Sequence, residues 1–151
     1  MGWETGVKSS LLSVVKDITF AGGTANAIGD FDGTGNPATI FTVTGRVRCK
    51  LRAVVTTTLT IDATATVEVG ITGNTAIFIA LTAADAPDVN EIWHDATPDN
   101  ATELESVNAE RILANGQDII LTCATANTLT GVIRFYCEWT PISADGNVVA
   151  A

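Results

Sequence analysis

The sequence predicts an all-β domain, a β-sandwich or its jelly-roll variant with long loops and extended termini, and three observations carry that prediction. Side chains sort by parity over residues 40–61: Phe41, Val43, Gly45, Val47, Cys49, Leu51, Ala53 and Val55 stand at odd positions, and Thr42, Thr44, Arg46, Arg48, Lys50 and Arg52 at even ones. A period of two is what a strand with one dry and one wet face requires. The same alternation returns near the C-terminus, where Ile133, Phe135, Cys137 and Trp139 share one face and Arg134, Tyr136 and Glu138 the other. Finally, the composition is 46% hydrophobic but only 6% aromatic, with abundant Thr, Val, Ile and Ala and 13 Gly, a mixture that favours extended structure over helix.

A chain of 151 residues suits one domain with a real core. Residues 1–10 read as an N-terminal arm in which Trp3 is the only large aromatic group, residues 11–141 as the sandwich, and residues 142–151 as a C-terminal strap or arm. Between Val7 and Phe20 a helical spacing competes with a strand, and a strand from about Leu11 is favoured. Residues 21–38 form a Gly-, Asn- and Asp-rich loop. An uninterrupted strand over residues 39–61 would run about 70 Å, longer than a compact domain of this size, so a break is expected at residues 56–58 or 62–63.

Residues 64–70 alternate again, and Thr72-Gly73-Asn74 has turn chemistry. Residues 75–82 are apolar on both faces, which predicts a strand covered on both sides. A short strand is expected at residues 91–94. A helical turn or two is expected over residues 102–113, where Leu104, Val107, Arg111 and Ala114 keep helical spacing before Asn115-Gly116. Residues 118–124 and 131–141 read as a hairpin joined by residues 125–130.

Charge is distributed unevenly. The net charge is -9, yet four of the eight basic residues, Arg46, Arg48, Lys50 and Arg52, fall in one row. Residues 85–110 hold eight acids, Asp85, Asp88, Glu91, Asp95, Asp99, Glu103, Glu105 and Glu110, and no Lys or Arg. Two readings of the basic row follow. Acids on adjacent strands, Glu68 and Glu138, would neutralise it within the chain. Alternatively it is an interface that meets the acidic segment of a neighbouring copy, setting orientation and register.

The acidic balance argues against a general nucleic-acid binder, which needs a broad positive footprint. No run of about 18 apolar residues predicts a membrane-spanning helix, and the N-terminus lacks a basic region followed by an apolar one, so synthesis in the cytoplasm is expected. Cys49, Cys123 and Cys137 lack metal or redox spacing and read as buried small hydrophobes.

Chemistry finds little support. His94 is the only histidine, beside Asp95, with no nucleophile or convergent ligand set in the pattern. Serine-hydrolase, zincin and P-loop motifs are missing. Asp30, Asp32 and Asn36, with Gly35 at the sixth position, resemble the start of a calcium loop, but Phe41 stands where a bidentate Glu is required; a Gly/Asp turn without metal is the plainer reading. No cofactor is expected.

The stretches Val54-Val-Thr-Thr-Thr-Leu-Thr60, Ala63-Thr-Ala-Thr-Val-Glu-Val-Gly70, Ile119-Ile-Leu-Thr-Cys-Ala-Thr-Ala126 and above all Ile133-Arg-Phe-Tyr-Cys-Glu-Trp-Thr-Pro-Ile-Ser-Ala-Asp-Gly-Asn-Val148 give the chain a character that resembles the small β-rich structural proteins of tailed-bacteriophage virions. That resemblance implies a capsid decoration or cement protein without catalytic residues, made in the host cytoplasm and incorporated into the virion. Its implied partners are further copies of itself, a trimer favoured, and the major capsid protein, with neither nucleic acid nor membrane. A soluble glycan- or Ca²⁺-binding module and a tail or head-fibre component are the alternatives.

Overall fold

In the computed structural model, which describes residues 11–98 and 110–151, ten strands form two five-stranded sheets packed face to face. The strands are β1 (Leu12–Thr19), β2 (Ala38–Thr44), β3 (Val47–Ile61), β4 (Thr66–Ile71), β5 (Asn74–Ala83), β6 (Ile92–Trp93), β7 (Arg111–Leu113), β8 (Ile119–Ala124), β9 (Thr128–Pro141) and β10 (Asn147–Ala150). One sheet runs β1-β9-β3-β6 with β7 also on β3; the other runs β10-β2-β8-β4-β5. Every pairing is antiparallel, and there is no helix among the described residues. The chain is a β-sandwich.

The parity of the sequence becomes the core. Val47, Cys49, Leu51, Ala53 and Val55 of β3 and Ile133, Phe135 and Cys137 of β9 are buried, facing Phe41, Val43, Val67, Val69, Ile79, Ile119, Leu121 and Cys123 of the opposite sheet. Trp93 packs edge-on against Phe135, with ring centroids 6.4 Å apart. Its indole N–H is satisfied by the buried Thr82 hydroxyl at 3.0 Å and the Asp95 carbonyl at 3.1 Å. All three cysteines are free and buried, as the sequence suggests. Burial pushes the Cys123 thiol up to about 11, and a hydrogen bond with Cys49 together with burial pushes Cys137 up as well.

Several expectations are corrected by this topology. The extended run breaks twice: at Gly45-Arg46, which the alternation does not signal, and after Ile61 at the turn of residues 62–64, one of the two places expected. Gly45 takes φ +62, and a Cβ there would lie 2.5 Å from Asp145 Oδ1, so glycine lets the chain cross from one sheet to the other without losing its alternation. Residues 55–60 carry register shifts instead, which bend β3 rather than end it. Across from that bend Gly131 sits at φ +114, with Leu59 Cδ2 only 2.5 Å from where a Cβ would stand.

The hairpin expected between residues 118–124 and 131–141 does not form: β8 and β9 belong to opposite sheets, and the short turn between them passes from one sheet to the other. Of the C-terminal arm, Asn147–Ala150 is an edge strand paired with β2. Arg111–Leu113 is extended on β3 rather than helical; residues 99–109 of the same expectation lie outside the described residues, as do the N-terminal residues 1–10 with Trp3. The outer face of β5 is open rather than covered, with Leu81 49% exposed. The turn at Gly73 joins β4 and β5 as expected, at φ +87.

Candidate interaction site

The outer face of the β1-β9-β3 sheet collects the basic residues. Strand alternation directs Arg48, Lys50 and Arg52 of β3 and Arg134 of β9 away from the core. Arg46 is exposed at the turn that enters β3 and not within the strand row. Five of the chain's eight basic side chains therefore stand on or at the rim of one face. Three acids share it, Asp17, Glu110 and Glu138, while ten other described acids lie elsewhere with only Lys16 and Arg111 for company.

Register decides which charges meet. Lys50 lies directly opposite Glu138 across β3 and β9. Glu138 nevertheless accepts a hydrogen bond from Arg52 at 2.6 Å. Arg48 pairs with Glu110 at 3.1 Å. Arg134 grips Asp17 with two parallel bonds of 2.7 and 2.8 Å. The hydrogen bond from Arg134 holds the Asp17 carboxyl below its ordinary range, and the same contact raises Arg134.

The in-chain neutralisation envisaged for the row thus applies to Arg48 and Arg52. Glu138 is one of the acids responsible; Glu68 is not, because it belongs to β4 in the other sheet. Lys50 and Arg46 make no ion pair among the described residues. These pairs give the face a defined charge pattern, flanked by the exposed apolar side chains of Leu11, Val15 and Ile112. A cleft of about 140 Å³ between Arg48, Lys50, Glu110 and Glu138 adds relief to it.

The acidic segment divides. Asp85 and Asp88 are exposed. Glu91 is buried at 5% exposure and accepts the Asp88 N–H through Oε2 at 2.5 Å, closing the turn that delivers β6 to β3, so it is not available to a partner. Asp95 caps its own turn, accepting the Thr97 N–H at 2.7 Å, and its other oxygen lies 3.6 Å from His94 Nδ1. Glu103 and Glu105 lie outside the described residues. Sequence reasoning missed Arg111, whose Nε–H bonds the Ile77 carbonyl at 3.1 Å, and Lys16, which bonds the Ala151 carbonyl. The signal was there: each is a lone cation on the dry parity of an edge strand.

Of Asp30, Asp32 and Asn36, the first and last are engaged in hydrogen bonds within the chain. Asp30 accepts the Asn26 N–H at 2.7 Å and is 8% exposed. The Asn36 amide donates to the Cys123 carbonyl at 2.7 Å and to the Phe31 carbonyl at 2.6 Å, and its oxygen accepts the Cys123 N–H at 2.9 Å. Both ends of Asn36 thus extend the sheet beside β8. No group of three or more His, Cys, Asp or Glu side chains gathers around a metal position among the described residues.

Compared with protein-family models, curated proteins and solved structures, the chain matches none of them.

Proposed function

We propose that this chain is a structural protein of a tailed-bacteriophage virion, a decoration or cement protein that assembles with copies of itself, three favoured, and seats on the major capsid protein. The observation that carries the reading is the segregation of charge: a sheet face with a cationic surplus on a molecule of net charge -9. Such a body repels its own kind in most orientations and attracts it in the few that set basic face against acidic flank, which gives orientation before contact. A sandwich whose two sheets share one packed core loses little backbone freedom on docking, which suits a clamp between shell subunits. Fibre components of the head or tail have the same needs and remain the nearest relatives of this reading. A Ca²⁺ module has less support, since Asn36 is consumed by β8.

Size-exclusion chromatography with light scattering on the purified chain tests the reading. A particle of three times the 15.7 kDa chain mass supports it. A monomer at all concentrations whose melting temperature rises with Ca²⁺ or an oligosaccharide contradicts it.

A further inference from the structure

Three turns meet at one end of the sandwich and enclose an open groove of about 520 Å³, lined by Gly45, Arg46, Ala114, Asn115, Ile142 and Ser143. The turns are tied to one another through their acceptors. Asn115 Oδ1 accepts the Gly45 N–H at 3.1 Å, and Ser143 Oγ accepts the Arg46 N–H at 2.7 Å. The Arg46 carbonyl accepts the N–H groups of Ile142 at 2.8 Å and Ser143 at 3.1 Å. These bonds leave the Asn115 amide, the Ser143 hydroxyl hydrogen and the exposed Arg46 guanidinium as side-chain donors for an incoming group. Planar donors beside the apolar side chain of Ile142 suit a carboxylate on a short apolar stem. One acid opposes it: Asp145 lies against Gly45 at the groove's margin.

We propose that this groove receives the carboxylate of Asp85 from a second copy of the chain. The inference rests on the self-assembly reading above and names its contact. Arg46 is a cation with no acid of its own among the described residues, whereas Arg48, Arg52 and Arg134 are already paired. Asp85 is exposed on a turn closed by the Ala86 N–H on the Ala83 carbonyl at 3.0 Å, and so is presented to neighbours. Groove and turn are different patches, so the contact can repeat head to tail and close as a ring of three where its rotation permits.

Sedimentation velocity tests the contact on the full chain and on Arg46→Glu, Asp85→Arg, the double exchange and Asp145→Asn, with circular dichroism to verify folding. Each single exchange is expected to weaken assembly by about tenfold or more, the double exchange to recover most of it, and Asp145→Asn to strengthen it several-fold. An assembling wild type that is indifferent to Arg46→Glu, or a double exchange no better than either single one, overturns the groove contact alone. A wild type that sediments only as a monomer overturns the groove contact and the self-assembly reading together.

Discussion

Arg111 donates its Nε–H to the Ile77 carbonyl 3.1 Å away and thereby ties one sheet to the edge strand of the other. Arg111 pairs with Cys49 in register and so points to the core side of its sheet, at the flank where β5 ends the opposite one. Lys16 does the same at the other flank, where it is paired with Phe135 and reaches the Ala151 carbonyl beside β10. Both sides of the sandwich are thus closed by a cation that occupies an edge carbonyl and discourages strand addition.

Removing the first of these struts has a double consequence. Arg111→Met is expected to cost about 1–2 kcal/mol, a charge-assisted hydrogen bond lost while some packing is kept, read as a lower urea midpoint. It also frees the uncharged edge of β5, so light scattering during incubation at elevated temperature is expected to rise faster than for the wild type.

The bend in β3 depends on one missing Cβ. Gly131→Ala puts a methyl 2.5 Å from Leu59 Cδ2 and 2.6 Å from the Thr58 carbonyl oxygen, at φ +114. A loss of about 2 kcal/mol or more in stability is expected, visible as a lower melting temperature.

Asn36 tests the loop. Asn36→Asp keeps an acceptor for the Cys123 N–H but removes the donor from the Cys123 carbonyl and sets a charge against it, at an expected cost of about 1–3 kcal/mol. Millimolar Ca²⁺ is expected to leave the melting temperature of the wild type unchanged, because Asn36 cannot turn outward without giving up β8.

The Asp17–Arg134 pair predicts a pH dependence. Asp17 is held below its ordinary value of 3.8 in the folded chain, so its stabilising contribution is fully present above that value and is lost as pH falls below it through the lowered folded pKa. Both side chains are more than 40% exposed, which makes the contribution small and sensitive to salt. Asp17→Asn is expected to lower the urea midpoint slightly at pH 7, with the difference vanishing toward pH 2 and shrinking in 1 M NaCl.

The thiols are expected to be silent. Cys123, pushed up to about 11, and Cys137, also pushed up, carry almost no thiolate at pH 8, and Cys49 is buried. A disulfide reagent should modify all three only as fast as the chain unfolds.

Much of the fold was legible because alternation is local and the pleat enforces it. The row from Phe41 to Val55 and the row from Ile133 to Trp139 form the core as their parity requires. What parity does not encode is which sheet a strand joins. Gly45 turns the chain between sheets inside a run whose alternation continues unbroken, and of residues 125–130, which look like a hairpin connection, 125–127 link one sheet to the other and 128–130 already belong to β9. The site was half legible for the same reason. Periodicity placed Arg48, Lys50 and Arg52 outward, but the partners come from registers of distant strands, so Arg48 with Glu110 and Arg134 with Asp17 could not be read from spacing. Glu91 shows the opposite limit, an acid in a polar run that the turn at residues 88–91 carries inward.

The central claim is that the charged face around β3 and β9 meets other subunits, and site-directed photo-cross-linking tests it most directly. A benzoylphenylalanine in place of Tyr136, at the middle of that face, is expected to yield covalent adducts with another copy or with the capsid protein in assembled particles. The same probe in place of Thr122, on the outer face of the opposite sheet, is expected to yield none. Adducts formed from position 122 alone, with position 136 uncoupled, would contradict the account.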